Sequence, residues 1–137
     1  MAGKVLIVDD NPDILALLRA NLHMAGFETV EAMNGRIALR RIDDDRPDLV
    51  LLDLMMPVLD GWGVLESLQS RPDRPPVIVV TAAESAANVE RANRLGASGY
   101  VTKPFNVAGL LDQVRSVIRA GAEPNRGAAS SGRSGRR

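Results

Sequence analysis

Three short runs in the chain are apolar at every position: Val5–Val8 (VLIV), Leu49–Leu52 (LVLL) and Val77–Val80 (VIVV). Successive side chains of a strand point to opposite faces of its sheet, so an unbroken apolar run must be covered on both sides. Helices supply that cover when strands and helices alternate, which makes the sheet parallel and its crossovers right-handed. The segments between the runs carry the required helical period. Asn11-Pro12 opens a helix, α1, with a capping side chain and a proline in the first turn. Ile14, Leu17, Leu18, Leu22 and Ala25 fall on one face of it, and Gly26 is a natural stop. A second helix, α2, follows Asn34-Gly35 with Ile37, Ala38 and Ile42 as its inner stripe. A third, α3, runs from Asp60 to Gln69 with Val64, Leu65 and Leu68 inward, and a fourth, α4, from Ser85 to Leu95. Asn106 caps the last helix, α5, whose apolar residues are Leu110, Leu111, Val114, Val117 and Ile118.

Two weaker segments complete five strand–helix units. In chain order the strands are β1 (Val5–Val8), β2 (Glu28–Glu31), β3 (Leu49–Leu52), β4 (Val77–Val80) and β5 (Gly99–Thr102). The expected fold class is therefore α/β: a (βα)5 doubly wound, five-stranded parallel sheet with helices on both faces. The apolar runs take the centre, and β2 and β5 the edges. Two proline sites agree with this. Pro57 breaks the chain after β3, and Pro75-Pro76 bars helix before β4.

Ligands of such sheets bind beyond the C-terminal ends of the strands. Those ends carry Asp9-Asp10, Asp53, Thr81 and Lys103. Paired carboxylates at the end of a core strand are unfavourable unless cations offset them. A hard divalent ion does so: Mg²⁺, or Mn²⁺ in its place, accepts carboxylates and completes its shell with water and phosphate oxygens. Lys103 adds an ammonium suited to phosphate, and Thr81 a hydroxyl that can donate to a phosphoryl oxygen. Together they suit a phosphoryl group in transit, with one carboxylate free to attack it. Singly, each residue has a plainer role: Asp10 and Asp53 as caps, Thr81 as a strand end, Lys103 as a solvated charge. Five suitable residues at four strand ends of one sheet make coincidence a poor account.

Composition removes competitors. The 137 residues contain no cysteine, which excludes disulfides and thiol catalysis, and one histidine, His23, too few for a histidine-rich metal site. No apolar run approaches a membrane span and no signal-peptide pattern opens the chain, so a cytoplasmic location without membrane insertion is expected. Formal charge is zero, but residues 121–137 carry four arginines against Glu123, a net +3 that leaves −3 on residues 1–120. That body shows no nucleic-acid footprint. The Gly/Ala/Ser/Arg-rich stretch 121–137 has no apolar period and reads as a disordered tail after a domain at 1–120.

VDD at 8–10, LLDLMMPVLDG at 51–61, VVTA at 79–82 and GYVTKPF at 99–105 together resemble the receiver domain of response regulators in two-component signalling, over about residues 3–120. The resemblance implies the flavodoxin-like strand order 2-1-3-4-5. It implies that Asp53 is the phospho-acceptor, taking the group from a phosphohistidine on a sensor histidine kinase or a histidine phosphotransfer protein. Asp10, Asp53 and the Met55 backbone carbonyl would hold Mg²⁺, with Asp9 acting through a water. Lys103 would pair with Asp53 and then with the phosphoryl group. Thr81 would bond a phosphoryl oxygen and draw its loop inward, and Tyr100 would turn inward with it. The α4–β5–α5 face would then change for a downstream protein target. The plainer reading of Tyr100 is an edge-strand aromatic with its hydroxyl in water. On resemblance alone, the Lys103-Pro104 bond is expected to be cis.

The expected function is a single-domain response regulator: a phosphorylation-controlled binding module that catalyses only its own aspartyl phosphorylation and dephosphorylation. Its alternatives are a receiver fragment of a larger regulator and a phosphorelay intermediate. Met55 and Ala83, two residues after Asp53 and Thr81, cannot hydrogen-bond an attacking water, so the phosphoryl lifetime is expected away from the short extreme. Trp62 reads as helix packing, and His23 lies on α1, away from the strand ends.

Other classes fit less well. A phosphohydrolase of the haloacid-dehalogenase type needs a second aspartate where Met55 stands. A dinucleotide-binding domain needs a Gly-rich first turn, which here reads DDNPD. DNA binding would need a further domain or a partner. A receiver that had lost phosphorylation would have no need of Asp10, Asp53, Thr81 and Lys103 together.

Overall fold

In the computed structural model, which describes residues 3–83 and 85–122, strands and helices alternate without exception. The strands are β1 Lys4–Val8, β2 Glu28–Ala32, β3 Leu49–Leu52, β4 Val77–Thr81 and β5 Gly99–Thr102. The helices are α1 Pro12–Met24, α2 Gly35–Asp45, α3 Gly61–Gln69, α4 Ala86–Arg94 and α5 Val107–Ala122. All pairings are parallel, in the order β2-β1-β3-β4-β5. This is the flavodoxin-like doubly wound sheet expected from the sequence.

The period of two in the strands sorts the core into two layers. Val5 and Ile7 of β1, Leu49 and Leu51 of β3, and Ile78 and Val80 of β4 face α1 and α5, against Leu15, Leu18, Leu22, Leu110 and Val114. Their alternates, Leu6, Val8, Val50, Leu52, Val77 and Val79, face α2, α3 and α4, against Ala38, Ile42, Val64, Leu65, Leu68 and Ala92. Every residue of β3 and β4 is buried, whereas β5 is half-buried throughout.

Helix starts follow the capping side chains. Asn11 accepts from the Asp13 N–H, Asn34 from Ile37, Asp60 from Gly63 and Ser85 from Asn88. In α1 the inner face differs from the expected one: Leu17 is 42% exposed and Leu15 is buried in its place. Helix α5 continues to Ala122, past the boundary expected at 120. The rest of the expected disordered tail lies outside the described residues. The Lys103-Pro104 peptide bond is cis.

Candidate functional site

The backbone ladder carries each site residue to one edge of the sheet. Val8 pairs with Leu52, so Asp9 and Asp53 leave adjacent strands at the same level. The ladder runs one step further through both: Asp53 N–H donates to the Val8 carbonyl at 3.0 Å, and Asp9 N–H to Ala32 at 3.1 Å. On the other side Thr81 pairs with Thr102, and the Lys103 N–H donates to the Thr81 carbonyl at 2.8 Å. Four strand ends scattered over 94 positions, Asp9 to Lys103, are thus drawn together.

The side chains form a charged knot. Asp9, Asp53 and Thr81 are the buried polar residues of the described chain, while Asp10 is exposed. One carboxylate oxygen from each of Asp9, Asp10 and Asp53 lies within 4.8 Å of the others. Lys103 Nζ donates to Asp9 Oδ2 at 2.7 Å and to Asp53 Oδ2 at 3.4 Å. The remaining oxygens are held by the chain's own turns, Asp9 Oδ1 by the Asn11 N–H at 2.9 Å and Asp53 Oδ1 by the Met55 N–H at 3.2 Å.

Burial sets the electrostatics. It raises the pKa of Asp9 above the ordinary carboxylate value, and the neighbouring Asp53 charge adds to the rise; the Lys103 and Asn11 hydrogen bonds oppose it without cancelling it. For Lys103, burial works against the ammonium, but the hydrogen bond to Asp9 and the charges of Asp53 and Asp9 outweigh it, and its pKa is raised. The ammonium is firmly charged, while Asp9 carries its negative charge at a penalty.

The donor set fits a hard divalent cation. Three carboxylates converge, the charge of Asp9 is unfavourable as it stands, and Asp10 is open to solvent. A cleft of about 220 Å³ lies alongside, lined by Asp10, Leu54, Met55, Met56, Pro57 and Asp60. Gly61 follows directly on Asp60 of that lining. A Cβ there would lie 2.4 Å from the Asp53 carbonyl oxygen and 2.7 Å from Leu54 Cα. Only a glycine lets α3 start so close to the end of β3, and the Gly61 N–H closes the loop on the Leu54 carbonyl at 3.1 Å.

Thr81 and Tyr100 lead away from the acidic residues. The Ala83 N–H points at Thr81 Oγ1, 3.4 Å away. The Tyr100 hydroxyl donates to the Ala83 carbonyl. Tyr100 is half-buried, which raises its pKa, and its hydroxyl is bonded to protein rather than left in water. Trp62 is half-buried helix packing, as expected, with the Arg91 guanidinium 4.2 Å from its ring centroid. His23 is remote, its Nε2 2.9 Å from Thr29 Oγ1.

The structure brings Asp9, Asp10, Asp53, Thr81 and Lys103 to one edge of the sheet; Lys103 meets Asp53, as the resemblance implied, and it meets Asp9 more closely. Asp9 is fixed by the Asn11 turn so that its second oxygen faces Lys103. Gly61 and Arg91 were not singled out. The Asp60-Gly61 dipeptide at a helix start was the available signal for the first. For the second there was none, since Arg91 meets Trp62 only through the packing of two helices.

The family model described as the response regulator receiver domain matches residues 5–115. The chain belongs to the response regulator receiver domain family. Receiver domains are phosphorylation-controlled signalling modules of two-component systems, with Mg²⁺ and a phosphoaspartate as their standard chemistry, and this chain carries a cluster of three aspartates, Asp9, Asp10 and Asp53. Among similar proteins is the transcriptional regulatory protein PrrA of Mycobacterium bovis, 40% identical over 116 residues that cover 85% of this chain and 50% of the relative. The alkaline phosphatase synthesis transcriptional regulatory protein PhoP of Bacillus subtilis is 34% identical over 87% of this chain and 50% of its own length. The chain thus spans about half the length of these curated relatives. The receiver domain of the Francisella response regulator 1452 superposes with a TM-score of 0.83 at 31% identity, covering 87% of this chain and 98% of that one. The BeF3-activated N-terminal receiver domain of Klebsiella pneumoniae RstA gives 0.80 at 32% identity, covering 85% and 98%. No helix among the described residues is long and apolar enough to cross a membrane.

Proposed function

We propose that this receiver domain accepts a phosphoryl group on Asp53 from a phosphohistidine of a sensor histidine kinase or histidine phosphotransfer protein. The observation that carries the reading is Asp53 itself: a buried carboxylate at a strand end, in a cluster with Asp9 and Asp10, with the Lys103 ammonium 3.4 Å from Oδ2. An Asp53 oxygen attacks phosphorus, the P–N bond breaks with its electron pair going to the imidazole, and an acyl phosphate forms. Asp10, Asp53 and the Met55 carbonyl would hold Mg²⁺, with Asp9 acting through a water, and the bound ion would supply positive charge that offsets the carboxylates and the phosphoryl group. Lys103 follows the charge from the carboxylate to the phosphoryl group. Thr81 donates its hydroxyl to a phosphoryl oxygen; as Oγ1 moves toward that oxygen it leaves the Ala83 N–H, which it faces at 3.4 Å, and the following loop moves with it.

Tyr100 joins that loop through Ala83, so the α4–β5–α5 face changes with phosphorylation and is offered to a downstream protein target. Within this reading the domain, residues 1–120, catalyses only its own phosphorylation and dephosphorylation. Met55 and Ala83 give an attacking water no side-chain hydrogen bond, which supports a lifetime away from the short extreme. The match to half of each longer relative favours a receiver unit of a larger regulator over the single-domain form expected from sequence.

Incubation with acetyl phosphate and Mg²⁺, followed by intact mass measurement, tests the assignment. Wild type should gain one phosphoryl group and Asp53→Asn none. An unmodified wild type, or an equally modified Asp53→Asn, would overturn it.

A further inference from the structure

Helix α4 is loosely held. Among its described residues only Ala92 is buried. Asn88 and Val89 are only half-buried, and two side-chain links that reach in different directions add to this packing. Ahead of the helix, the Tyr100 hydroxyl of β5 ties down the Ala83 carbonyl, three residues before Ala86. At its middle, Arg91 lies over the Trp62 ring of α3, 4.2 Å from the centroid, and Nη2 reaches Glu66 Oε2 at 3.3 Å. Trp62 and Glu66 are four residues apart, one turn of α3, so ring and carboxylate present themselves on the same side. An exposed ion pair alone contributes little. A planar guanidinium stacked on an indole with its edge turned to a carboxylate is more directional, and a lysine could not reproduce it. Trp62 and Tyr100 also pack against the same apolar layer, the one that contains Ala92.

We propose that Trp62, Arg91 and Glu66 form a clasp that makes α3 part of the switch: when the segment after Thr81 moves, α4 swings about Ala92, and Arg91 carries the movement onto Trp62. The inference rests on the proposed phosphorylation of Asp53 and extends its readout from the α4–β5–α5 face to the α3–α4 edge. The coupling is physical in a limited sense: one weakly packed helix has two arrangements, and both the Ala83 end and the Trp62 end bias the choice between them.

Trp62 is the only tryptophan of the chain, so its emission reads the clasp directly. The full chain is treated with acetyl phosphate and Mg²⁺, with phosphorylation scored by intact mass and emission recorded in parallel. Wild type should shift its emission as the phosphoryl group is added. Arg91→Ala should take up phosphate to the same extent by mass yet lose most of that shift, and Arg91→Lys should behave like Arg91→Ala. In a second arm without phosphodonor, Tyr100→Phe frees the Ala83 end. It should shift the emission in the wild-type background and leave it unchanged in the Arg91→Ala background. A full shift in phosphorylated Arg91→Ala, or no response to Tyr100→Phe, overturns the clasp. If wild type gains no phosphoryl mass, the proposed function fails, and the Tyr100→Phe arm still decides the clasp.

Discussion

The Lys103 ammonium is held by Asp9 at 2.7 Å, closer than by Asp53 at 3.4 Å. One cation therefore bridges the ends of β1 and β3 from the end of β5. It restrains two buried carboxylates whose mutual repulsion would otherwise open that edge of the sheet.

Removing the bridge should destabilise the metal-free protein. Lys103→Met leaves Asp9 and Asp53 buried without their cation, at a cost of about 2–3 kcal/mol, below the range for a fully buried pair. The pH dependence gives a second readout. The pKa of Lys103 is raised, so its contribution is fully present below the unfolded value of about 10.5 and is lost as pH rises through the folded one. Urea denaturation in EDTA should show that alkaline loss in wild type, and Lys103→Met should lack it.

The sign is opposite for Asp9. Its raised pKa means that the folded state binds more protons than the unfolded state above pH about 4, so stability falls as pH rises from there through the folded value. In metal-free protein, Asp9→Asn should remove that part of the slope, and the variant's stability should decline less than wild type's as pH rises above about 4. Equal slopes in paired urea titrations would show that Asp9 ionises without penalty.

The strand ends were readable because they depend on short-range pattern alone: a doubly apolar run, then a polar residue. The central position of β1, β3 and β4 followed from the same runs. The face of α1 did not. Leu15 and Leu17 both fit a helical stripe with Leu18 and Leu22, and only packing against β1 and β3 selects Leu15. The preference of Lys103 for Asp9 was also hidden, since it depends on how the Asn11 turn aims one carboxylate oxygen. Contacts such as Arg91 on Trp62, between helices separated by a whole strand, leave no local trace in the sequence.

Gly61 should not tolerate a side chain. An Ala Cβ would meet the Asp53 carbonyl oxygen at 2.4 Å, and backbone rather than a flexible side chain would have to yield. Gly61→Ala should lose about 2–4 kcal/mol of stability. It should also weaken Mg²⁺ binding by displacing Asp53, which calorimetric titration with Mg²⁺ would measure. Unchanged denaturation and unchanged Mg²⁺ affinity would show that the loop shifts freely.

Val58 offers the reverse case. It holds φ at +71°, a left-handed conformation that a β-branched residue adopts at a cost, and its side chain is 72% exposed, so little burial compensates. The conformation is imposed from both sides: the Leu59 carbonyl accepts from Gly35 N–H at 2.8 Å, and Gly61 N–H closes on Leu54. Glycine fits this φ freely but gives the unfolded chain more entropy, which cancels part of the gain. Val58→Gly should therefore stabilise the domain by about 0.5–1 kcal/mol, raising the thermal midpoint by a few degrees. Val58→Ala, which keeps a Cβ at the same φ, should recover much less. If scanning calorimetry found the glycine variant less stable than the alanine one, the exposed valine would be contributing through contacts rather than being held against its preference.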